Sequence, residues 1–530
     1  MASRTSNSIK NIFSGLGLKI ILLVFQFATK TLFVQYLSGY LGLNALLTSV
    51  ISYLNITELG ISTAINFAMY KPIAENNQEK VKEYLAYYRK IYHILGIIVI
   101  AIGLVLAFFL PLMMNVEDLS VGYKEIYLIY FLYLINSAYP YFVYAYRGGF
   151  ITASQEEYRL TPILYISTVG SSIMQACVLV VFNGSFLSFA LYTAIPILFS
   201  IIRSLLNGLF AAKWYPYIKE KPTGLLSKEE IKGLFKNTYG IAIARICVII
   251  NNSIDSIIIS AFIGINVLGK YSLYRTLIGM VVGFINILFI SLLPSVGNLN
   301  AESSTEHKKK VFNAINFSAF WIYGVTGICF FCSVQPFMAI WAGQDKVMSV
   351  LIPAVVVFNY VTDGMIYAVS LFREGCGLYY IGRYRPIFST IINIVFSIGL
   401  GYWLSNCYGD QIGVFGILLA TIISRMAVVW WFDAYIVFKN VFYESPKRYL
   451  VQYIIRLALI CGIGFGVFFV NSLVLVNQWV SFVISIISSF VISNLVFIAL
   501  FHKKPESKYL LQIFTMLLSR RKTKKRGIVK

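Results

Sequence analysis

The feature that most constrains this chain is a recurring apolar run of about 20 residues, the length that lets an α-helix cross the hydrocarbon core of a bilayer. About fourteen such runs fit within the 530 residues, near 12–37, 44–70, 91–113, 124–146, 160–182 and 186–210, then 237–262, 267–293, 312–341, 349–372, 386–405, 412–438, 451–471 and 479–501. Backbone amides in hydrocarbon have to be satisfied within their own segment, so runs of this kind fold as helices. Composition agrees: 58% of residues are hydrophobic and 12% are charged, against about a quarter charged in a soluble domain. The expected fold class is an all-α polytopic membrane protein with about 14 transmembrane helices.

A net charge of +22 raises the question of a nucleic-acid partner, and the placement of the charges argues against one. Lys and Arg collect in alternate loops: Lys71, Lys80, Lys82, Arg89 and Lys90; Lys213, Lys219, Lys221, Lys228, Lys232 and Lys236; Lys308, Lys309 and Lys310; Arg383 and Arg385; Lys439, Lys447 and Arg448. The loops between hold little beyond Lys124, Lys270 and Lys346. That bias is the positive-inside pattern, which puts both termini in the cytoplasm and the basic loops beside anionic membrane lipid. The polar start leads straight into a long span with no short apolar core and small-residue cleavage site, so no cleavable signal peptide is expected. Five of the seven cysteines lie in spans and read as small packing residues. The Cys329-x-x-Cys332 pair lacks partner ligands, and His93, His307 and His502 fall at helix ends. Neither a metal site nor a cofactor is expected.

One span breaks the apolar rule. The stretch 237–262 carries Arg245, Asn251, Asn252 and Asp255. An ionised side chain at the bilayer centre costs roughly 2.5–3.5 kcal/mol on insertion scales, so such residues face a bundle interior or a wet cavity. Arg245 and Asn252 are two turns apart and share a face. Arg245 and Asp255 stand about 15 Å apart along the helix, too far for a direct pair.

The chain also repeats. Leu41-Gly42-Leu43-Asn44-Ala45-Leu46 matches Ile263-Gly264-Ile265-Asn266-Val267-Leu268 in residue type, each between the first and second spans of a half. Arg147-Gly148-Gly149 with Arg159 likewise matches Arg373-Glu374-Gly375 with Arg385. A duplicated unit of six helices in parallel orientation follows. The expected organisation is a first lobe over 1–211, a cytosolic linker with an amphipathic helix over 212–236, a second lobe over 237–440, two further helices within 441–501 and a basic tail over 502–530. Carrying the alignment back to the first span puts Lys30 on the face equivalent to that of Arg245, so both should look into the gap between the lobes. Arg147, Arg203 and Arg275 are cavity candidates of lower rank.

A carboxylate in lipid is paired with a cation or holds a proton. Glu58, Asp255 and Asp363 are therefore candidates for coupling to H+ or Na+, each weighed against a plain structural pair. Asp433 lies two turns from Arg425, close to one face. Ser227 and Glu230 form a capping-box pattern before Ile231, Leu234 and Phe235, which suggests a short amphipathic helix on the membrane. The tail carries Tyr509, Leu510, Ile513, Phe514 and Leu517 at helical spacing before Arg520, Arg521, Lys522, Lys524, Lys525 and Arg526, a pattern suited to anionic lipid.

Several stretches resemble one family. Glu58-Leu59-Gly60-Ile61-Ser62-Thr63-Ala64-Ile65 with Tyr70-Lys71-Pro72, Asp255-Ser256-Ile257-Ile258-Ile259-Ser260, Pro336-Phe337 with Trp341 and Gly343, Gly377-Leu378-Tyr379 with Arg385-Pro386 and Asn393, and Gly413-Val414-Phe415-Gly416 with Ala420-Thr421-Ile422-Ile423-Ser424 are similar to polysaccharide flippases of the O-antigen and capsule type, in the multidrug/oligosaccharidyl-lipid/polysaccharide exporter superfamily. The resemblance implies two pseudo-symmetric six-helix lobes around a central cavity, with two extra C-terminal helices, in a bacterial cytoplasmic membrane. It implies alternating access and a cargo of undecaprenyl-pyrophosphate-linked oligosaccharide or teichoic-acid-like precursor, with a polysaccharide polymerase and glycosyltransferases as pathway partners. A cationic cavity of that kind fits Lys30 and Arg245, with Asn252 beside them, because an Arg donor fork matches phosphate oxygens. The alternatives are a lipid II flippase, a multidrug and toxin cation extruder of the same fold and, from another class, a membrane glycosyltransferase or polymerase. Against that last class stand the lack of a large extracytoplasmic loop and of a Gly-rich phosphate loop, so the chain reads as a transporter and not an enzyme.

Overall fold

The computed structural model describes residues 4–54, 61–114, 121–236, 239–290, 292–293, 296–297, 299, 303–378, 381–473 and 477–512. They are overwhelmingly helical, with no strand among them. In chain order the helices are α1 Arg4–Tyr36, α2 Leu41–Ser52, α3 Ile61–Ala74, α4 Gln78–Phe109, α5 Tyr123–Ala138, α6 Ala145–Ala153, α7 Thr161–Val181, α8 Phe186–Trp214, α9 Lys228–Lys236 and α10 Tyr239–Phe262. There follow α11 Ile265–Ile290, α12 Thr305–Trp341, α13 Leu351–Met365, α14 Tyr367–Gly375, α15 Arg385–Tyr408, α16 Asp410–Ser424, α17 Trp430–Val437, α18 Lys447–Ser472 and α19 Gln478–Phe501.

Ten helical segments among the described residues are long and apolar enough to cross a membrane, or up to twelve if each of two bent pairs is one span. The count of fourteen is not reached by that measure among the described residues. The bent pairs are Ile20–Tyr36 with Ser38–Ser52, at 102°, and Tyr123–Tyr141 with Ala145–Ala153, at 53°. In the second pair Tyr144 takes a left-handed φ of 47° just ahead of α6, a conformation a bulky side chain enters only where its surroundings impose it. The break between α13 and α14 falls at a comparable place in the second half.

By internal contacts the chain divides into two compact units, one of residues 1–273 and 386–417, the other of 274–385 and 418–530. In the first unit α7 packs against α1 and α8, and α10 packs on α2. The two matching hexapeptides meet there: a Cβ on Gly42 would collide with the Ile265 carbonyl oxygen, and one on Gly269 would stand 3.0 Å from the Gly42 nitrogen. Equivalent segments of a duplication touch in this way when they lie near the axis that relates them. With no hydrophobic drive between helices in lipid, such close backbone approach is what holds them together, and any side chain larger than hydrogen at Gly42 blocks it.

The second unit is organised on α12, whose buried residues run around the whole helix, as expected of a central element. It packs against α13, α18 and α19. Small residues again set the spacing: Gly327 lies against Val361 and Gly364 against the Tyr323 ring. The serines Ser485, Ser489 and Ser493 of α19 are buried.

The linker helix α9 keeps its capping box, with the Ser227 N–H donating to Glu230 Oε2 at 2.9 Å and the Glu230 N–H donating to Ser227 Oγ at 3.2 Å. It does not lie free on the membrane. Leu234 is buried, α9 packs on α3, and Glu230 pairs with Lys80 of α4 at 2.7 Å. Lys80 also meets Glu83 at 2.8 Å, and Lys82 holds Glu79 at 2.7 Å and Glu220 at 3.0 Å. The ordinary face of a short linker helix is thus a clasp of ion pairs.

Candidate functional site

The cations singled out from the sequence fall into two groups once their partners are known. In the first unit, Lys30 sits half-buried on α1 with its Nζ 4.8 Å from the Phe33 ring. One residue earlier the chain is pinned: Thr29 Oγ1 donates to the Phe25 carbonyl at 2.9 Å and to the Ser172 carbonyl of α7 at 3.1 Å. Arg245 is exposed on α10. Arg203 on α8 is half-buried and reaches Ser200 Oγ at 3.4 Å. Arg147 lies on α6, directly after the strained turn, with its guanidinium carbon 4.3 Å from the Tyr144 ring and Nη1 donating to the Gly208 carbonyl at 3.2 Å. Among the described residues none of these four is ion-paired.

In the second unit Arg425, Arg373 and Arg385 are matched by carboxylates, while Arg456 stacks on the Phe317 and Phe320 rings. Arg425 Nη2 stands 3.3 Å from Asp363 Oδ1, and Nη1 donates to the Asn359 carbonyl at 2.8 Å and to Thr362 Oγ1 at 3.2 Å. Asp433 is fully buried, bound by Arg385 Nη1 and 3.7 Å from Arg373 Nη1. Arg425 and Asp433, two turns apart along the chain with a π-helical turn, Arg425–Val429, between them, take different partners. Asp363 therefore has a cation partner, as the structural-pair reading of it required. Arg275 belongs to this unit and makes contacts of its own.

The repeat gives this contrast its meaning. The spacing that matches Arg147 to Arg373 and Arg159 to Arg385 matches Asn207 to Asp433. In both halves the arginine after the broken span reaches the last third of the sixth span. In one it finds a carboxylate, and in the other it finds the Gly208 carbonyl beside Asn207. Arg159 turns instead to Glu156 at 3.1 Å. Arg147 thus has no carboxylate partner among the described residues, while its counterpart Arg373 does.

Of the coupling candidates, Asp255 is buried on α10, near enough to Tyr53 at the end of α2 for the two to interact electrostatically. Asn252 lies on the same helix and is engaged in contacts. Glu58 lies outside the described residues, as does the basic tail beyond residue 512.

The sequence matches the family described as polysaccharide biosynthesis protein over residues 8–300, more than half of its length. The chain belongs to that family. This family member shares its fold with solved membrane transporters at low identity. The structure titled lipid II flippase MurJ, inward closed conformation, superposes with a TM-score of 0.56 at 14% identity, covering 91% of this chain and 99% of that one. An inward-facing multidrug resistance MATE family transporter of the MOP superfamily superposes at 0.53 with 15% identity, covering 86% and 96%. A mutant form of the Vibrio cholerae MATE transporter VcmN gives 0.53 at 13% identity, covering 84% and 100%. No curated protein sequence matches the chain. The protein is accordingly a multi-pass membrane protein that shares the fold of these solved transporters.

Sequence reasoning ranked Arg147 below Lys30 and Arg245 and passed over Asn207 and Tyr144. Pro140, in the short 3₁₀ turn just ahead of Tyr144, is the one signal that could have flagged the break. The neutral Asn207 becomes visible only when the repeat is laid against Asp433 and its two arginines.

Proposed function

We propose that this chain is a flippase that moves an undecaprenyl-pyrophosphate-linked oligosaccharide or a teichoic-acid-like precursor from the inner to the outer leaflet of a bacterial cytoplasmic membrane, with both termini in the cytoplasm. The observation that carries the reading is the set of cations in the first unit, Lys30, Arg147, Arg203 and Arg245, that form no ion pair among the described residues, while Arg373, Arg385 and Arg425 are matched by carboxylates. An uncompensated cation at membrane depth is costly, so it is kept for an anion that arrives with the cargo. A pyrophosphate presents the oxygen geometry an arginine fork binds best. The polyprenyl tail can stay in lipid while these residues shield the head group. Arg275 and Asn252 are proposed as further contacts, and Asp255 as the carboxylate that couples movement to H+ or Na+. Glu58 and Asp363 rank behind it, the latter because Arg425 already holds it.

The test is accumulation of lipid-linked oligosaccharide on the inner leaflet after depletion of the protein, with rescue by Lys30→Ala, Arg245→Ala and Arg147→Gln. Poor rescue by all three at normal membrane levels is expected. Full rescue by Lys30→Ala and Arg245→Ala removes the pyrophosphate assignment. Mass spectrometry of the accumulated species distinguishes an oligosaccharide carrier lipid from lipid II, which has the same pyrophosphate and would draw on the same cations.

A further inference from the structure

A separate polar cavity of about 330 Å³ lies wholly within the second unit, on the face of the basic loops. Its walls are the first turns of α12 and α18, the turn that follows the π-helical end of α17, and the helical residues 505–512. None of the cations assigned to the cargo lines it. The floor is aromatic, with Phe312 and Tyr449 buried and their ring centroids 6.0 Å apart. Asn313 and Gln452 add neutral donors to the wall.

The charges around this cavity are unevenly matched. Lys309 is spent on Glu444, which it meets at 2.6 Å. Lys310 stands exposed with its Nζ 4.7 Å from the Tyr509 ring. Arg448 is exposed and makes no ion pair among the described residues. Glu506, the remaining carboxylate, also lines the cavity, and its charge acts on Arg456 rather than forming an ion pair with Lys310 or Arg448 among the described residues. Two cations are thus left at the mouth with nothing of opposite sign committed to them.

We infer that this cavity binds the headgroup of an anionic glycerophospholipid, with the phosphate between Lys310 and Arg448 and the headgroup hydroxyls on Asn313 and Gln452. Basic pockets between transmembrane helices at headgroup depth are suited to this chemistry. What favours a lipid over a free phosphate is the lane that leaves the cavity. Arg448, Val451 and Ile455 recur at helical spacing on α18, and Val451 and Ile455 are 57% and 62% exposed. A cationic end joined to an exposed apolar stripe along one helix matches a molecule with a phosphate at one end and acyl chains at the other. The site is distinct from diffuse attraction of the basic tail, because it needs particular side chains and a defined cavity.

The experiment uses the purified full-length protein in zwitterionic phosphatidylcholine, titrated with phosphatidylglycerol, and reads retained lipid by native mass spectrometry alongside the thermal midpoint. The wild type is expected to retain phosphatidylglycerol over phosphatidylcholine by roughly tenfold, and Lys310→Gln with Arg448→Gln to abolish that preference. Both side chains are exposed, so the variant should keep the wild-type midpoint in phosphatidylcholine alone. Val451→Gln should weaken retention with both charges in place. A preference undiminished in the double variant overturns the site. Displacement by millimolar inorganic phosphate, or indifference to Val451→Gln, overturns the lipid and points to a soluble phosphate. No cargo is present in any arm, so the result is independent of the proposed transport.

Discussion

Removing the Asp433 carboxylate should be among the most damaging single changes in the second unit. The aspartate is 0% exposed, and the side chains of the two arginines it holds are only 12% and 11% exposed. Asp433→Ala removes the buried carboxylate from both guanidinium groups, leaving Arg373 only the more exposed Glu374 at 3.5 Å as an ion-pair partner among the described residues. Deleting one partner of a buried ion pair costs about 3–5 kcal/mol, because the remaining charge loses its compensation. Against a total stability of roughly 5–15 kcal/mol, that is enough to empty much of the folded population. Asp363→Ala provides the internal control. Its side chain is 73% exposed, and Arg425 keeps the Asn359 carbonyl and Thr362 as acceptors, so a loss within about 1 kcal/mol is expected. Unfolding in detergent, followed by tryptophan fluorescence and by the monodisperse fraction on heating, should separate the two variants clearly. Replacing Asp433, Arg373 and Arg385 together by leucine should recover most of the loss, since a well-packed apolar set matches a buried ionic one. Equal unfolding of Asp433→Ala and Asp363→Ala would refute the argument.

Two further outcomes follow from the geometry. Asn207→Asp gives Arg147 the carboxylate that Arg373 already has, and it should lower transport by about tenfold or more, the worth of one charged hydrogen bond to phosphate, at unchanged membrane levels; unimpaired transport would show that the charge of Arg147 is not used. The α9 clasp should be acid-sensitive. Hydrogen bonds from Lys80 and from the Ser227 backbone hold the Glu230 carboxyl below its ordinary 4.5, so its contribution is full above that value and is lost as pH falls through the depressed one. Hydrogen exchange of residues 228–236, corrected for intrinsic rates, should rise as pH falls below about 4.5 and should already be raised at neutral pH in Lys80→Gln; protection in Lys80→Gln equal to the wild type's would sink this reading.

Much of the architecture was legible in the residues themselves. Apolar length determined that the chain spans a membrane, because hydrocarbon tolerates only a backbone that satisfies its own amides. The hexapeptide match and the paired Arg-Gly motifs pointed to a duplicated unit, and the Ser227 and Glu230 pattern marked the start of α9 to the residue. These are local signals, set by properties a short segment carries with it. What only the tertiary structure decided is which charges are cancelled. Arg147 and Arg373 are the same residue type in matching contexts, and they differ because the facing helix offers the Gly208 carbonyl to the first and the Asp433 carboxylate to the second. Arg425 meets Asp363 while Asp433 is held by Arg385 and Arg373, and a left-handed Tyr144 marks a break in a span that hydropathy reads as continuous. Charge compensation depends on neighbours across the bundle, and the order of residues along a single helix does not record them.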